Sequence, residues 1–325
     1  MSSFWKGRRV FVTGATGMIG AWLVKELLSE QAAVTALVME DAPASELCRS
    51  GDIRRVGVVK GRLEDFEGLT QGLGESRADT VFHLAAQPIV TTAQTNPLPT
   101  FEANIRGTYH LLEACRLRGD TLQNVVIASS DKAYGEQPRL PYTEDMPLTG
   151  RHPYEVSKSC ADLLAQSYHH TYGLPVAIAR CGNVYGGGDL NWNRIVPGTI
   201  RSLLRGEHPI IRSDGSYLRD YIYVKDVACA YMRLAECCRQ DPIRGQAFNF
   251  STESPLTVSG LVHKIQKLMG QEDLEPDIQN CATGEILHQS LSAAKARTLL
   301  GWKPKFPMET GLRETIEWYR GFLAS

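Results

Sequence analysis

Tyr154 and Lys158 have the spacing in this sequence that is most suggestive of chemistry. They form a Y-x-x-x-K pattern just after His152 and Pro153, and proline is favoured in the first turn of a helix. Residues four apart lie on one helical face, so the Lys158 ammonium can sit near the phenol and favour its ionised form. A tyrosine with an unperturbed pKa of about 10 needs that help to act as a base at neutral pH. The spacing alone is common by chance.

Two serines strengthen this interpretation. Ser129 and Ser130 end a predicted strand that precedes the helix, where a hydroxyl can hydrogen-bond the same substrate oxygen as the phenol. Asp131 and Lys132 follow directly. They are either an acid and a base beside a substrate or a solvated ion pair on a loop, and the position at a strand end favours the first alternative.

Residues 13–20, Thr-Gly-Ala-Thr-Gly-Met-Ile-Gly, place three glycines between the first predicted strand and the first predicted helix. Such glycines permit a tight turn and a close approach of the backbone to a pyrophosphate, and the helix N-terminus offers N–H groups to the phosphates. A structural turn could use the same glycines, but their place at the start of an α/β chain favours dinucleotide binding. The expected contacts are Gly14, Thr16, Gly17, Met18 and Ile19.

The end of the second predicted strand bears on the choice of dinucleotide. An acid there favours the ribose hydroxyls of NAD, whereas an arginine favours the 2′-phosphate of NADP. Val38 stands where NAD enzymes with this loop usually carry Asp, but Glu40 or Asp41 could replace it and no basic residue follows immediately. NAD is therefore favoured over NADP, with Glu40 as the expected contact, although either carboxylate could equally be a solvated loop residue.

Apolar runs and helical spacing alternate over about the first 180 residues. The predicted strands are 10–13, 34–39, 56–59, 80–84, 124–129 and 176–180, and the predicted helices are 18–30, 101–117 and 154–172. Buried strands that alternate with helices predict an α/β fold of the Rossmann type, in which a doubly wound parallel sheet is covered on both faces.

The pattern changes beyond Arg180 to glycine-rich loops, short helices and isolated strands at 221–224 and 247–250. We expect residues 1–180 to form an NAD-binding domain and residues 181–325 to form a smaller C-terminal substrate-binding lobe, with residues 217–250 rejoining the sheet. A site between the two parts is then expected.

Composition excludes several classes of protein. The chain has 35 Lys and Arg against 36 Asp and Glu, so neither a nucleic acid nor an anionic membrane is an expected partner. No uncharged run reaches the roughly 18 apolar residues of a membrane span. Eight scattered cysteines without a C-x-x-C pair indicate free thiols, and we expect a cytoplasmic protein. The pair His169 and His170 lacks a third ligand at suitable spacing, so no metal site is expected.

Taken together, these motifs resemble those of extended short-chain dehydrogenases/reductases, specifically nucleotide-sugar 4,6-dehydratases and 4-epimerases. The resemblance covers nearly the whole chain, through motifs at residues 13–20, 83–88, 104–108, 129–135, 154–158, 180–189, 219–221, 300–304 and 318–319. The segments 83–88, 130–132 and 182–189 most resemble CDP-glucose 4,6-dehydratases.

The resemblance implies roles for five residues. Tyr154, with Ser130 and Lys158, would take the proton of the hexose C4 hydroxyl while the nicotinamide takes the hydride. An epimerase then returns the hydride to C4 and needs no further acid or base. A dehydratase must also remove the C5 hydrogen, expel the C6 hydroxyl and return the hydride to C6. Asp131 is the implied acid for C6, and Lys132, in place of the commoner Glu, is the implied C5 base.

The resemblance also implies binding residues. Tyr154 and Lys158 would contact the cofactor, and Leu84, Ala85 and Ala86 would line its nicotinamide ribose. The implied substrate contacts are Gln87, Asn183, Arg194, Arg219 and Glu285. Arginine suits phosphate because its planar fork pairs with phosphate oxygens, although Arg194 could equally be a surface arginine. In this family the helices predicted at 101–117 and 154–172 pair across a two-fold axis, which implies a homodimer.

Two positions depart from the family pattern. Arg62 stands where the family usually places an Asp that recognises adenine, and His288 is out of register with a family histidine. The sequence predicts an NAD-dependent nucleotide-sugar 4,6-dehydratase that is CDP-glucose-like in its active-site loop. The alternatives are a 4-epimerase on the same scaffold and a catalytically silent NAD(P)-sensing regulator.

Overall fold

The computed structural model of the chain describes residues 4–281 and 285–324. Its strands, in chain order, are β1 (Arg9–Thr13), β2 (Ala33–Val38), β3 (Gly57–Lys60), β4 (Thr80–His83), β5 (Asn124–Ala128), β6 (Val176–Cys181), β7 (Asn183–Tyr185), β8 (Ile210–Ile211), β9 (Leu218–Arg219), β10 (Tyr221–Tyr223), β11 (Ala247–Phe250), β12 (Leu256–Thr257) and β13 (Asp277–Ile278).

The α-helices, in chain order, are α1 (Met18–Ser29), α2 (Glu46–Arg49), α3 (Phe66–Ser76), α4 (Val90–Thr95), α5 (Pro97–Phe101), α6 (Gly107–Leu117), α7 (Pro153–Tyr172), α8 (Ile195–Leu204), α9 (Val224–Cys237), α10 (Val258–Met269) and α11 (Met308–Leu323). Short 3₁₀ turns lie at Asp52–Arg55, Gly119–Thr121 and Asp131–Tyr134, and π-helical turns lie at Glu102–Arg106 and Ala296–Leu300.

The central sheet has seven strands in the order β11-β6-β5-β4-β1-β2-β3, and every neighbouring pair in it is parallel. The chain builds from β1 towards β3 on one side and from β4 towards β11 on the other. The order therefore reverses between β1 and β4, and the crevice outside the carboxyl ends of strands at such a reversal is where open α/β sheets bind ligands. This topology confirms the predicted Rossmann-type, doubly wound α/β fold.

Helices cover the sheet on both faces, as the run of apolar strands predicts. Val10 and Val12 of β1 pack in one cluster with side chains of α1 and α9. Phe11, between them, points to the opposite face and packs with side chains of α3, α6 and α7. Because successive side chains of a strand alternate between faces, β1 is anchored in both layers and its carboxyl end is held firmly.

The segment that was predicted to rejoin the sheet divides in two. Strand β11 pairs with β6 at the sheet edge, and α9 packs against α1. Strand β10 instead pairs with β7, and β9 pairs with β12, both outside the central sheet. Strand β6 already has β5 and β11 as its two neighbours, so it offers no free edge to β10.

The helix predicted from residue 101 begins earlier, at Pro97, and contains a π-helical turn at Glu102–Arg106. This turn carries the buried Asn104. The Asn104 Oδ1 atom accepts from the backbone N–H of Gln87 at 2.7 Å, and its Nδ2 atom donates to the Gln87 carbonyl at 3.1 Å and to Ser157 Oγ at 2.9 Å. Asn104 therefore fixes the loop after β4 to α7.

Helix α7 begins at Pro153, as predicted, and ends at Tyr172, where Gly173, with a φ of 69°, provides the left-handed C-cap. The Glu155 carboxylate accepts from the backbone N–H groups of Arg151 and His152 at 2.9 and 3.2 Å. These bonds satisfy donors at the start of the helix, which fixes the turn that carries Tyr154.

Three further observations concern the described residues as a whole. None of their helices is both long enough and apolar enough to span a membrane. No group of three or more of their His, Cys, Asp or Glu side chains is placed to hold a metal ion. All eight cysteines are free thiols, as the sequence predicts.

Candidate active site

A cleft of about 1010 Å³ opens at the carboxyl ends of β1, β4, β5 and β6 and extends to the residues that follow β7 and β9. Every site residue predicted from the sequence lines this cleft except Glu40. These residues are Gly14, Thr16, Gly17, Met18, Ile19, Leu84, Ala85, Ala86, Gln87, Ser130, Asp131, Lys132, Tyr154, Lys158, Asn183, Arg194, Arg219 and Glu285. Residues from four strand ends therefore converge on one cavity large enough for two nucleotide ligands.

The glycine-rich loop leaves no room for side chains. Gly14 has a φ of 73°, and a Cβ atom there would lie 2.6 Å from the backbone nitrogen of Ala85. A Cβ atom on Gly20 would lie 2.1 Å from the Gly14 carbonyl oxygen. Helix α1 starts just beyond Gly17. Because this N-cap residue is a glycine, no side chain caps the first N–H groups of the helix. The loop therefore offers bare backbone and a helix N-terminus, the features that suit a pyrophosphate.

Glu40 does not reach this cleft. Strand β2 ends at Val38, the chain bends at Met39 and Glu40, and the Glu40 side chain is exposed. Met39 and Arg62 line the cleft here instead. The other candidate, Asp41, is exposed and pairs with Lys60. The structure thus does not bring either carboxylate into the cleft, because the bend turns them to solvent.

The residues after β5 form a tight turn. Ser130 caps the 3₁₀ turn Asp131–Tyr134, since its Oγ accepts from the Lys132 backbone N–H at 3.2 Å and donates to Asp131 Oδ1 at 3.0 Å. Asp131 is buried, and its second oxygen, Oδ2, has no hydrogen-bond partner among the described residues. One carboxylate oxygen is therefore held by the turn while the other is available to a ligand.

Tyr154 faces this turn from the start of α7. Burial raises the pKa of its phenol to about 12, and the nearby Asp131 carboxylate acts in the same direction. The guanidinium of Arg194 and a hydrogen bond with Ser130 oppose the rise without cancelling it. The chain by itself therefore keeps Tyr154 protonated at neutral pH, contrary to the phenolate that the Y-x-x-x-K spacing suggests.

Lys158 lies one turn further along α7 and is buried. Its Nζ atom donates to the Ala128 carbonyl oxygen at the end of β5, at 2.9 Å. Burial lowers the pKa of this amine to about 8, and the carboxylate of Asp162 opposes that shift. Lys158 is therefore still largely a cation at neutral pH, tied to the sheet beside the cleft.

Lys132 is half-buried and donates from Nζ to Oε1 of Gln289, a residue that the sequence analysis did not single out. Burial lowers the pKa of the Lys132 amine, and the Arg219 guanidinium lowers it further. The carboxylates of Asp131, Glu285 and Glu155 act in the opposite direction. Gln289 is distant in sequence, and only the fold brings it to Lys132.

Arg219 and Glu285 meet at the far side of the cleft. Arg219 is buried, its Nη2 atom lies 3.1 Å from Glu285 Oε2, and its Nη1 atom donates to the Leu218 and Leu287 carbonyls at 3.0 Å each. Glu285 is exposed. The two residues therefore form an ion pair, with the arginine fixed by backbone and the carboxylate accessible to solvent.

Arg194 and Gln87 both line the cleft, and Arg194 reaches the loop that carries Gln87. Arg194 pairs with Asp189 at 3.0 Å, and its Nη2 atom lies 3.4 Å from the carbonyl oxygen of Pro88. The Gln87 side chain accepts from the Ile89 backbone N–H at 3.1 Å, so it helps to shape its own loop. Asn183 begins β7, is half-buried and lines the same cleft.

A buried chain of hydrogen bonds lies beneath the loop at Leu84 and Ala85. Thr108 Oγ1 donates to a main-chain carbonyl at 2.6 Å, so it must accept from His83 Nε2, at 3.0 Å. His83 Nδ1 is then the acceptor for the Thr13 hydroxyl, at 2.8 Å. Thr13 Oγ1 in turn accepts from the N–H groups of Leu84 and Ala85. His83 is thus neutral, and it ties the ends of β1 and β4 together below the cleft.

We expect His83 to make the stability of the protein fall in acid. Burial, with the charge of Lys158, lowers the pKa of the folded-state imidazole to about 3 from an ordinary 6.5. Between these values the unfolded chain binds the extra proton, so the free energy of unfolding decreases by about 1.4 kcal/mol per pH unit as the pH falls below 6.5.

His83→Gln retains a donor but does not titrate, so it should flatten this slope. Urea unfolding of both proteins at about pH 7 and about pH 5 measures the effect. An unchanged pH slope in the variant would show that His83 is not the group responsible.

Comparisons with known proteins give the context of this site. Residues 11–315 match the family model described as GDP-mannose 4,6 dehydratase. The chain is 32% identical to a CDP-glucose 4,6-dehydratase of Salmonella typhimurium, with 99% of this chain and 93% of the relative covered.

Solved structures of two chemistries superpose on the fold. A UDP-glucose 4-epimerase from Thermotoga maritima with UDP-glucose has a TM-score of 0.88 and 28% identity, covering 97% of this chain and 99% of that one. A dTDP-glucose 4,6-dehydratase from Bacillus anthracis in complex with NAD has a TM-score of 0.85 and 26% identity, covering 97% of each chain. With the family match spanning nearly the whole sequence, the chain belongs to the GDP-mannose 4,6 dehydratase family, within the extended short-chain dehydrogenases/reductases.

Proposed function

We propose that this protein is an NAD-dependent nucleotide-sugar 4,6-dehydratase, CDP-glucose-like in its active-site turn, that makes a 4-keto-6-deoxyhexose nucleotide. The observation that carries the proposal is the turn after β5, which places Asp131 and Lys132 on the wall of the same cleft as Tyr154. Oxidation at C4 needs a hydride acceptor and one base, Tyr154, whereas elimination across C5 and C6 needs a further acid and a further base. This turn provides both.

The glycine-rich loop and the crevice at the strand-order reversal suit NAD. Gly14, Gly17 and the start of α1 would hold the pyrophosphate, and Leu84, Ala85 and Ala86 would lie along the nicotinamide ribose. NAD, when bound, would supply a positively charged ring that takes the hydride from C4 and later returns it to C6. Several solved relatives are described as complexes with NAD, which supports this choice.

Tyr154 would take the proton of the C4 hydroxyl. Its pKa of about 12 in the chain alone means that bound ligands must favour the phenolate. The Lys158 cation lies on the same face of α7 and would stabilise that charge, and Ser130, which acts to lower the pKa of the phenol, would hold the C4 oxygen in line. These three residues form the oxidation half of the site.

Asp131 and Lys132 would carry out the elimination. The Lys132 amine, whose pKa is lowered by burial, would accept the C5 proton made acidic by the 4-ketone. Asp131 would donate a proton from its unpartnered oxygen to the departing C6 hydroxyl, which leaves as water. Protons balance: one moves from C5 to nitrogen and one from the carboxyl group to water.

The remaining cleft residues would hold the nucleotide sugar. Arg219 is buried and its guanidinium is planar and held in place. It would pair with a diphosphate if the Glu285 carboxylate moves away from it. Asn183 and Arg194 would contact the same diphosphate from β7 and the loop before α8, and Gln87 would meet the sugar. In this proposal residues 1–180, together with α9 and β11 of the sheet, form the cofactor part, and the rest of residues 181–325 form the substrate part.

We further propose a homodimer through α5, α6 and α7. Leu98, Tyr109, Leu163 and Tyr172 on these helices are 64, 37, 54 and 56% exposed, an apolar surface that a second copy would cover.

A 4-epimerase is the second candidate, because a UDP-glucose 4-epimerase superposes with a TM-score of 0.88. It would require no acid and base at Asp131 and Lys132. A silent NAD(P)-sensing regulator is less well supported, since it would need none of the five residues in this arrangement.

Mass spectrometry of the products tests the proposal. The purified protein is incubated with a panel of CDP-, GDP-, UDP- and dTDP-hexoses in deuterated water. We expect one nucleotide to yield a product that has lost one water and gained a deuterium at C5. An isomer of unchanged mass would instead establish the epimerase.

A further inference from the structure

Gln289 lies behind the Lys132 side chain and is fully buried. Its backbone is fixed on both sides, because its N–H donates to the Leu218 carbonyl at 3.0 Å and the Leu291 N–H donates to the Asp220 carboxylate at 3.2 Å. It does not line the cleft. Gln289 therefore belongs to the rigid support of the site and does not reach a ligand.

Its side chain lies between two functional groups, the Lys132 amine and the Tyr142 hydroxyl. Gln289 Oε1 accepts a hydrogen bond from Lys132 Nζ, while Lys132 itself lines the cleft. The Gln289 Nε2 atom is buried without a hydrogen-bond partner among the described residues. The one hydrogen bond that this side chain makes within bonding distance is therefore the bond to Lys132, and stability alone does not account for a buried amide whose donor is left unpaired.

We propose that Gln289 is a positioning residue for Lys132, whose amine it holds at the cleft wall through a neutral amide oxygen. The inference rests on the proposed function, in which Lys132 is the C5 base. A lysine can accept a proton only when its amine is uncharged, and a carboxylate in this place would bind the ammonium form and retain it. An amide oxygen fixes the geometry without that penalty.

The charges around Lys132 show why a neutral partner matters. Asp131 on its own turn, Glu155 at the start of α7 and Glu285 across the cleft favour the charged amine. Arg219 at the end of β9 disfavours it, as does burial, which has the largest effect. The net result is a lowered pKa. One more carboxylate, in direct contact, would tip this balance towards the cation.

Gln289→Glu provides the sharpest test because it replaces the amide by a carboxylate of the same shape. The pH at which the Lys132 amine becomes reactive should rise by about one unit or more. Acylation with acetic anhydride over a pH series, followed by mass spectrometry of the Lys132 peptide, measures this without reference to activity. Exposed Lys264 on α10 serves as the internal reference.

The pH profile of dehydration should shift together with the pH at which the Lys132 amine becomes reactive. Its acidic limb should shift to higher pH by the same amount in Gln289→Glu, while the rate of C4 oxidation stays within about twofold of the native rate. Gln289→Met, which keeps the volume and removes the acceptor, should slow dehydration at every pH about tenfold or more, again without loss of C4 oxidation. Gln266→Met, at a buried glutamine of α10 remote from the cleft, is the matched control.

The outcomes distinguish a failure of the Gln289 inference from a failure of the proposed dehydratase function. If the labelling curve of Lys132 is the same in Gln289→Glu as in the native protein, the inference is wrong. If Gln289→Glu does not fold, Gln289→Met is the test of the inference. The inference is wrong if Gln289→Met and the native protein have equal rates of dehydration and equal rates of C4 oxidation. If the native protein forms no dehydrated product, the proposed function is wrong. The pH dependence of Lys132 acylation in Gln289→Glu still tests whether Gln289 positions the Lys132 amine.

Discussion

Replacing Tyr154 with phenylalanine should slow the first hydride transfer by about 10²- to 10⁴-fold, the usual contribution of a general base. The substitution removes only the phenol oxygen, and the ring continues to fill its place at the start of α7. Single-turnover absorbance of the reduced nicotinamide after substrate is added measures the step directly. Because C4 oxidation precedes every later step, no product should form faster than this slowed step.

The control is Tyr168→Phe, a hydroxyl deletion on the same helix that removes a bond to Glu113 away from the cleft. It should leave hydride transfer unchanged. Calorimetry should also show that Tyr154→Phe still binds NAD and nucleotide sugar. A Tyr154→Phe protein that reduces the cofactor at the native rate would show that another group takes the C4 proton.

The acidic limb of hydride transfer should reflect the same phenol. Burial raises its pKa to about 12 in the chain alone, so the reactive phenolate is scarce at neutral pH unless bound ligands lower that value. The rate should therefore rise with pH until the phenol is fully ionised in the ternary complex. The Arg194 guanidinium already acts in this direction in the chain alone, and the bound ligands would set how far below 12 that point lies.

Lys132→Ala should have the second large effect, and at a different step. C4 oxidation should proceed, since Tyr154, Ser130 and Lys158 are intact, but removal of the C5 proton should slow by about 10²- to 10⁴-fold. Reduced cofactor and a 4-keto hexose nucleotide should then accumulate together. Rapid quenching with mass spectrometry measures the ketone, and absorbance measures the cofactor.

Lys264→Ala, which removes an exposed lysine of α10, is the matched control and should behave as the native protein. Normal dehydration by Lys132→Ala would refute the assignment of Lys132 as the C5 base. The contrast between a block before oxidation in Tyr154→Phe and a block after it in Lys132→Ala is specific to a dehydratase. In an epimerase, Lys132→Ala should leave turnover intact.

Local patterns were sufficient for much of the fold and the cleft. Apolar runs such as that at β1 are buried on both faces of a parallel sheet, and such strands can be recognised one at a time. The glycines at 14, 17 and 20 and the Pro153 start of α7 depend on neighbours a few residues away, so their spacing carries the information. Parallel strands then bring their carboxyl ends to one edge, which is why the separate motifs meet.

What the sequence could not predict depends on distant contacts or on desolvation. Gln289 reaches Lys132 only because the chain after β13 returns to β9, and no local pattern marks it. Glu40 misses the cleft because the chain bends at Met39 and Glu40, directly after β2. The raised pKa of Tyr154 comes from burial, which outweighs the charges that helical spacing alone would consider.

The central claim is that the hydride removed from C4 returns to C6. The most direct measurement uses CDP-glucose, or whichever hexose nucleotide the panel identifies, with deuterium at C4 in ordinary water. NMR of the product locates the label. The account predicts a 4-keto product, lighter by one water, that carries the deuterium in its C6 methyl group. Deuterium retained at C4 of an isomeric sugar would contradict it.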